Sequence, residues 1–452
     1  MARPHGLAFG PDDNLYVGDA TTSDGPSSQV LRFQGPGGAN PGQFIDAFVP
    51  STLGTPNVLI TGNSLAFDNV GNLYVSDTAG DAVHVYDPDG NQLDDFIRIN
   101  KHLQESGRTT KGELIMGMPG ESKESFLQGV EQMIDAKVSF VCIYTLMLLT
   151  GTEFKNPQYL KEHGIKGKYR VVPLNFGQYE GSKVLDCEEV GIESNDMSFD
   201  DYLYLRGFAL LTETLHNGRP FEELFRYALS LGVGRMGLLR RLYDNVPRAP
   251  QEVQNLVKMF LDETRDELWD SEEELIAHYQ NEEEYGRLHR GEVGGNLIYK
   301  YKTLGIGLTV GSWIDYITDT LHEIIGEKVD TTDQPRAKEQ LGLLAEFCQS
   351  KLAGLLAPDS NLGSRFLNSK YDITGWLQDD EGVSIDDYSR DDSIDYEFYY
   401  TDDQMAARDA GSVYVEFGDF LCCFSHFGSP CSGVGVWVGT LIQVARVLFD
   451  VR

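Results

Sequence analysis

Hydrophobic and polar positions alternate over the first 97 residues, and a 3.6-residue period takes over after them. The alternating part carries an internal repeat. LAFGPDDNLYVGD, from Leu7 to Asp19, recurs as LAFDNVGNLYVSD, from Leu65 to Asp77. Each copy predicts a short strand, a polar turn (Asp12-Asp13-Asn14 or Asn69-Val70-Gly71-Asn72) and a second strand at Leu15-Tyr16-Val17 or Leu73-Tyr74-Val75. A third strand is expected at Val30–Phe33 or Val83–Tyr86, and a fourth at Gln43–Val49 or Gln92–Ile97. That makes two four-stranded units, a repeat spacing within reach of propeller blades.

After Ile97, residues 98–112 read as a short helix and loop, and the domain junction is placed there. A buried strand (Glu113–Met116), a Gly-Pro-Gly turn (Gly117–Gly120) and a helix burying Phe126, Leu127, Val130 and Ile134 follow. The next strand falls in Ser139–Leu149, completing a β-turn-α-β unit. From Ser198 the pattern is mainly helical. Ser198 and Asp201 make a capping-box start, and that helix stops at Asn217-Gly218. Further helices are expected after Pro220, over Val253–Leu261, from the capping pair Ser271/Glu274, within 295–326 and over 341–356.

Two segments break the style. Residues 371–404 are acidic and tyrosine-rich, do not match the spacing of an EF-hand loop, and read as a solvated linker or tail. Residues 412–452 are apolar and glycine-rich. Gln443 and Arg446 interrupt them, so they are too short and too polar to span a bilayer. They form either a packed hairpin or an appended segment with no fold of its own.

Composition narrows the partners. Seventy acids against 37 bases give a net charge of -33. Nucleic-acid grooves and anionic membrane surfaces both call for a basic face, so neither is expected as a partner. No run reaches the ~18 apolar residues of a membrane helix. The start, MARPHGLAFGPDD, has no apolar region of a secretory signal, and six cysteines are too few for a disulfide scaffold. The expected compartment is the cytoplasm.

ELIMGMPGES is the string that carries candidate chemistry. Glycine at 117 and 120 lets backbone approach a ligand, Pro119 fixes the turn, and the helix start near Glu121 and Ser122 offers N–H donors. The same grammar also serves as a plain strand-to-helix turn. Cys422, Cys423, His426 and Cys431 cluster near the C-terminus, but adjacent cysteines chelate one metal poorly, and free or buried thiols are expected. Glu188, Glu189 and His216 are expected to be satisfied structural groups.

The repeat resembles blades of an NHL-repeat or gluconolactonase-like β-propeller. Closed propellers use about 4–8 blades. Two leave open edges, through which self-association is expected. His5, Asp19 and Asp77 read as turn residues rather than ligands of a propeller metal. The string ELIMGMPGE resembles the later half of a radical SAM enzyme of the type with an N-terminal cobalamin-binding domain. So do LLTGTEFKNPQYLKEHGIKGKYR, NFGQYEGSKVLDCEEVGIESNDMSFDDYLYLRGF and GEVGGNLIYKYK. That resemblance implies that Gly117, Pro119, Gly120 and Glu121 line a pocket for S-adenosylmethionine. It also implies a [4Fe–4S] cluster and cobalamin in the parent family, acting on a small-molecule substrate of unknown identity. Cluster binding there needs CxxxCxxC, and no three of Cys142, Cys187, Cys348, Cys422, Cys423 and Cys431 have that spacing.

The resulting expectation is a mixed fold. It comprises a partial β-propeller (1–97), a partial α/β radical-SAM-like barrel (98–197), a helical domain (198–330), a helix plus acidic tail (331–411) and an apolar tail (412–452). The chain is expected to be a chimera whose radical chemistry is lost, with no catalytic residue or metal ligand assigned. The alternative is a non-enzymatic propeller-type binding or scaffold protein.

Overall fold

The computed structural model describes residues 4–19, 29–49, 62–68, 71–77, 82–86, 88, 100, 103, 108–352, 364–399, 416–417 and 420–421. The chain divides into two compact units, Met1–Thr110 and Lys111–Arg452.

In the first unit the repeat becomes two antiparallel sheets. Strands β1 (Pro4–Phe9), β2 (Leu15–Asp19), β3 (Gln29–Phe33) and β4 (Phe44–Val49) pair in sequence order. So do β5 (Gly62–Phe67), β6 (Leu73–Asp77) and β7 (Ala82–Tyr86). The copies share their register: Leu7 faces Val17 as Leu65 faces Val75, and Phe9 faces Leu15 as Phe67 faces Leu73. Their turns match as well. Gly10 N–H donates to Asn14 O at 2.9 Å, and Asp68 N–H, at the equivalent position, to Asn72 O at 3.1 Å. One core serves both sheets, with Tyr16, Val30, Phe48 and Val49 meeting Leu73, Val75 and Tyr86. Asp19 and Asp77 end strands rather than occupying turns; Asp19 is buried and accepts from Gln29 Nε2 at 3.2 Å. The fourth strand expected at Gln92–Ile97 lies outside the described residues.

The second unit opens with β8 (Lys111–Met116), α1 (Lys123–Asp135) and β9 (Phe140–Thr145). β8 and β9 pair in parallel, Lys111 opposite Phe140 through Met116 opposite Thr145. Helix α1 buries Phe126, Leu127, Val130 and Ile134, the stripe its sequence predicts. β8 is half-buried rather than buried: Gly112 and Met116 face inward while Ile115 is 47% exposed. Among the described residues the parallel sheet stops at two strands. After α2 (Pro157–His163) comes a long antiparallel hairpin, β10 (Lys166–Tyr179) with β11 (Ser182–Glu193). The chain just after β9 lies along it, Gly191 N–H donating to Leu146 O at 2.9 Å and Leu148 N–H to Glu189 O at 2.8 Å.

The helical layer begins with α3 (Phe199–Leu211), capped by Ser198 and Asp201 as expected and buried nearly all round. A helix apolar on every side belongs inside a helical core. It runs into one π-helical turn, Thr212–His216, and ends at Asn217. Around it stand α4 (Glu222–Ser230), α5 (Arg235–Asp244), α6 (Gln251–Asp266), α7 (Glu272–Tyr279), α8 (Glu282–His289), α9 (Leu297–Leu308), α10 (Val310–Lys328) and α11 (Gln334–Leu352). Phe208, Leu224, Phe260, Trp313 and Leu344 meet in the shared core. No described helix is long and apolar enough to cross a membrane.

The acidic stretch is not a solvated tail over its described length. β12 (Arg365–Tyr371) pairs with β13 (Ser389–Phe398), and α12 (Ile373–Gln378) lies between them. Leu367, Ile373, Trp376 and Ile385 are buried in the main core. Averaged composition hid this, because the acids line the outer face while a few large apolar residues anchor the inner one. Of residues 412–452, only the short pairing of Glu416–Phe417 with Phe420–Leu421 is described.

Candidate functional site

Both glycines of the Gly-Pro-Gly turn use backbone space closed to other residues, with φ of 91° at Gly117 and 81° at Gly120. The turn leaves the carboxyl end of β8, the end of a parallel sheet where α/β folds place ligands. Its donors are mostly engaged. Gly120 N–H donates to Asp196 Oδ2 at 3.0 Å, and Glu121 N–H to Met118 O at 3.1 Å. Ser122 and Ser125 close a capping box on each other, with N–H to Oγ distances of 2.9 and 3.2 Å. The cradle of free N–H groups expected near Glu121 and Ser122 is therefore largely filled by the chain itself. Asp196, 76 residues away in sequence, gives no local signal of this contact.

Glu121 is the unusual member of the turn. Its Oε2 is buried with no hydrogen-bond partner, and burial pushes the carboxyl up to about 7. A carboxyl kept half-protonated near neutral pH can both donate and accept.

A separate cavity of about 100 Å³ lies against β9, lined by residues of β9, β10, α3 and the start of α9. Arg170 spans it, donating Nε to Glu188 at 2.6 Å, one terminal nitrogen to Glu267 at 3.1 Å and the other to Thr145 at 3.3 Å. Burial opposes the Arg170 charge, but Glu267 and Glu188 outweigh it and hold the group above its ordinary value. Glu213, also on the cavity wall, accepts from Lys302 at 2.8 Å and from Asn217. Asn217 also acts as an edge for β9: Val141 N–H donates to its Oδ1, and its Nδ2 donates to Val141 O, both at 3.0 Å.

Glu188 and Glu189 are satisfied, Glu189 by Lys155 and by the Tyr169 hydroxyl at 3.2 Å. His216 departs from expectation. Both ring nitrogens are buried without a partner, and burial, with Arg235 and Arg219, pushes it down to about 3. The described cysteines stand apart. Burial pushes Cys142 and Cys187 up to about 11, and Cys348 is raised as well. Among the described residues no three His, Cys, Asp or Glu groups are placed to hold a metal ion. Cys422, Cys423, His426 and Cys431, like the His5 side chain, lie outside what the structure describes.

Comparison with known proteins finds two partial likenesses. Residues 53–76 match a β-propeller repeat, and of these 62–67 form β5 and 73–76 most of β6. The chain is 25% identical over 159 residues to 2-(S-pantetheinyl)-carbapenam-3-carboxylate methyltransferase of Streptantibioticus cattleyicolor, covering 34% of this chain and 23% of that protein. It is 25% identical over 150 residues to the cobalamin-dependent radical SAM methyltransferase TokK of Streptomyces tokunonensis, covering 32% of this chain and 21% of that one. The chain thus spans less than a quarter of the length of these curated relatives. Distant similarity to radical SAM methyltransferases and a propeller repeat are the two features of its relationship that stand.

Proposed function

We propose that the turn from Gly117 to Glu121 is a contact surface for S-adenosylmethionine in a chain derived from a cobalamin-dependent radical SAM methyltransferase. The buried, unpartnered Glu121 Oε2 carries this reading. A buried carboxyl oxygen without a partner is costly unless something occupies it. Gly117, Pro119 and Gly120 shape the backbone around it, and Asp196 holds the turn in place through Gly120. S-adenosylmethionine supplies, when bound, an electrophilic sulfonium. Glu121 offers a polar hydrogen-bonding edge to the cofactor's adenosyl end.

A [4Fe–4S] cluster does not fit the described residues. Thiolates are needed to hold one, whereas Cys142, Cys187 and Cys348 are separate and their thiols are held protonated. Cobalamin enters through the likeness to the relatives, and no residue of this chain is assigned to it. The proposal is therefore a cofactor-binding protein without radical cleavage of its own, its methyl acceptor an unidentified small molecule. It includes the joining of propeller repeats to part of a methyltransferase, which a continuous sequence read across residues 97 and 98 at the source locus tests.

Titration calorimetry of the full chain with S-adenosylmethionine tests the cofactor claim. Saturable binding that weakens about tenfold in Glu121→Gln is expected, the effect of one hydrogen bond to a charged or polarised group. Absence of binding at millimolar cofactor removes the proposal. The paired sheets and the propeller-repeat match at 53–76 then favour the second reading, a non-enzymatic binding scaffold.

A further inference from the structure

Arg206 sits in the middle of α3, is 5% exposed and lines the cavity against β9. Its Nε is buried with no acceptor. Among the described residues its guanidinium has no ion pair and no hydrogen bond; the Phe260 ring lies 5.5 Å away, and burial and the nearby Arg170 charge oppose its own charge while Tyr202, Glu267 and Glu188 favour it. Arginine presents five N–H donors and stays charged, so a buried one without acceptors is a group awaiting a partner. The nearby carboxylates do not serve. Glu188 and Glu267 are held by Arg170, and Glu213 by Lys302 and Asn217. The charges of Glu267 and Glu188 favour the Arg206 cation from a distance without lending it an oxygen.

The first turn of α9 forms another part of the wall. Gly295, Asn296, Leu297 and Ile298 all line the cavity. The Asn296 side chain caps only the Tyr299 N–H, at 3.3 Å, among the described donors of this turn. A twelve-residue helix therefore directs its positive end at the space that Arg206 also faces. The volume of about 100 Å³ is less than the ~150 Å³ of an apolar cavity that admits benzene. It suits a small anionic headgroup rather than a whole cofactor.

We infer that Arg206 and the first turn of α9 form a binding site for the carboxylate of a small organic acid, either free or as the end of a larger ligand. A carboxylate matches the planar fork of arginine, and its second oxygen accepts from the helix N–H groups. Once it is bound, the local set of three cations and four anions is offset by the helix end. The site does not rest on the reading of the Gly117–Glu121 turn.

Calorimetric titration of the full chain with sodium acetate, at ionic strength held constant by sodium chloride, tests this. Saturable binding is expected, weakened about tenfold or more in Arg206→Met, and less in Arg206→Lys, which keeps the charge but loses the fork. Removing an unpaired buried charge should leave the fold intact, and near-ultraviolet circular dichroism checks that. Should Arg206→Met fail to fold, Arg206→Lys carries the comparison. No acetate binding in the wild type, equal binding in a folded Arg206 variant, or equally tight binding of sulfate each overturns the assignment. Competition between acetate and S-adenosylmethionine would identify the carboxylate as that of the cofactor. Additive binding would identify it as that of another ligand. Loss of cofactor binding with acetate binding intact would sink the turn proposal alone.

Discussion

Glu121 makes a prediction about pH at the scale of one side chain. Its folded-state value of about 7 lies above the ordinary 4.5. The folded chain therefore holds this proton more tightly than the unfolded chain does. The associated stability is fully present below about pH 4.5 and is lost as pH rises through 7. Discounted for partial solvent access, the effect is about 1–2 kcal/mol. Thermal melts from pH 4.5 to 8 should show wild type losing ground to Glu121→Gln across that window; parallel curves would show that the carboxyl is not buried. Asn217 makes a second prediction. Its amide closes both polar groups of Val141, so Asn217→Ala should cost about 2–3 kcal/mol in urea unfolding, the penalty of stranding buried backbone groups. A change below ~0.5 kcal/mol would mean that water replaces the amide. The sequence singles out Glu121 beside the turn and Asn217 at a helix stop, but not the contacts that each makes or lacks. Gly117 and Gly120 are legible because turn geometry demands glycine. The reach of Asn217 and Asp196 depends on contacts 76 residues apart.

Local pattern read the elements well wherever one face of a segment is apolar. The buried stripe of α1, the Ser198 cap of α3 and the matched registers at Leu7 and Leu65 all follow from neighbours within a few residues. The reading failed where charge masked alternation. Residues 365–371 bury Leu367 and Ser369 while exposing their neighbours, and β13 turns nearly every acid outward. Averaging over both faces made this hairpin look solvated. Its anchor is Trp376, fully buried, with Nε1–H donating to Val383 O at 2.8 Å and the Arg226 guanidinium 5.2 Å over its ring. Arg226 in turn donates to the carbonyls of Leu377, Asp379 and Asp380 at 2.7 to 3.0 Å. Trp376→Ala should therefore destabilise the second unit by about 3–5 kcal/mol. Amide exchange over 365–398 should also rise toward that of an open segment. Unchanged protection there would restore the view of an acidic appendage that carries no core.

Each of the two units carries a hydrophobic core of its own. Tyr16, Val30, Phe48, Leu73 and Val75 make one, and the cluster reaching from Met116 to Ile385 makes the other. Cores built from separate stretches of chain unfold as separate cooperative units, so a single transition is not the expectation. Among the described residues seven buried side chains join the two small sheets of the first unit, which are held more weakly than a helical core built on many buried aromatic and aliphatic residues. Calorimetric melting should show two transitions, the lower one belonging to the first unit. Val75 has no exposure at all, and an aspartate there would bury a charge among Tyr16, Leu73 and Tyr86. Val75→Asp should abolish the lower transition while moving the upper one by less than ~2 °C, since mutations in independent units add rather than couple. If both transitions move together, the units share their stability. The propeller repeat would then act as a structural part of the second unit.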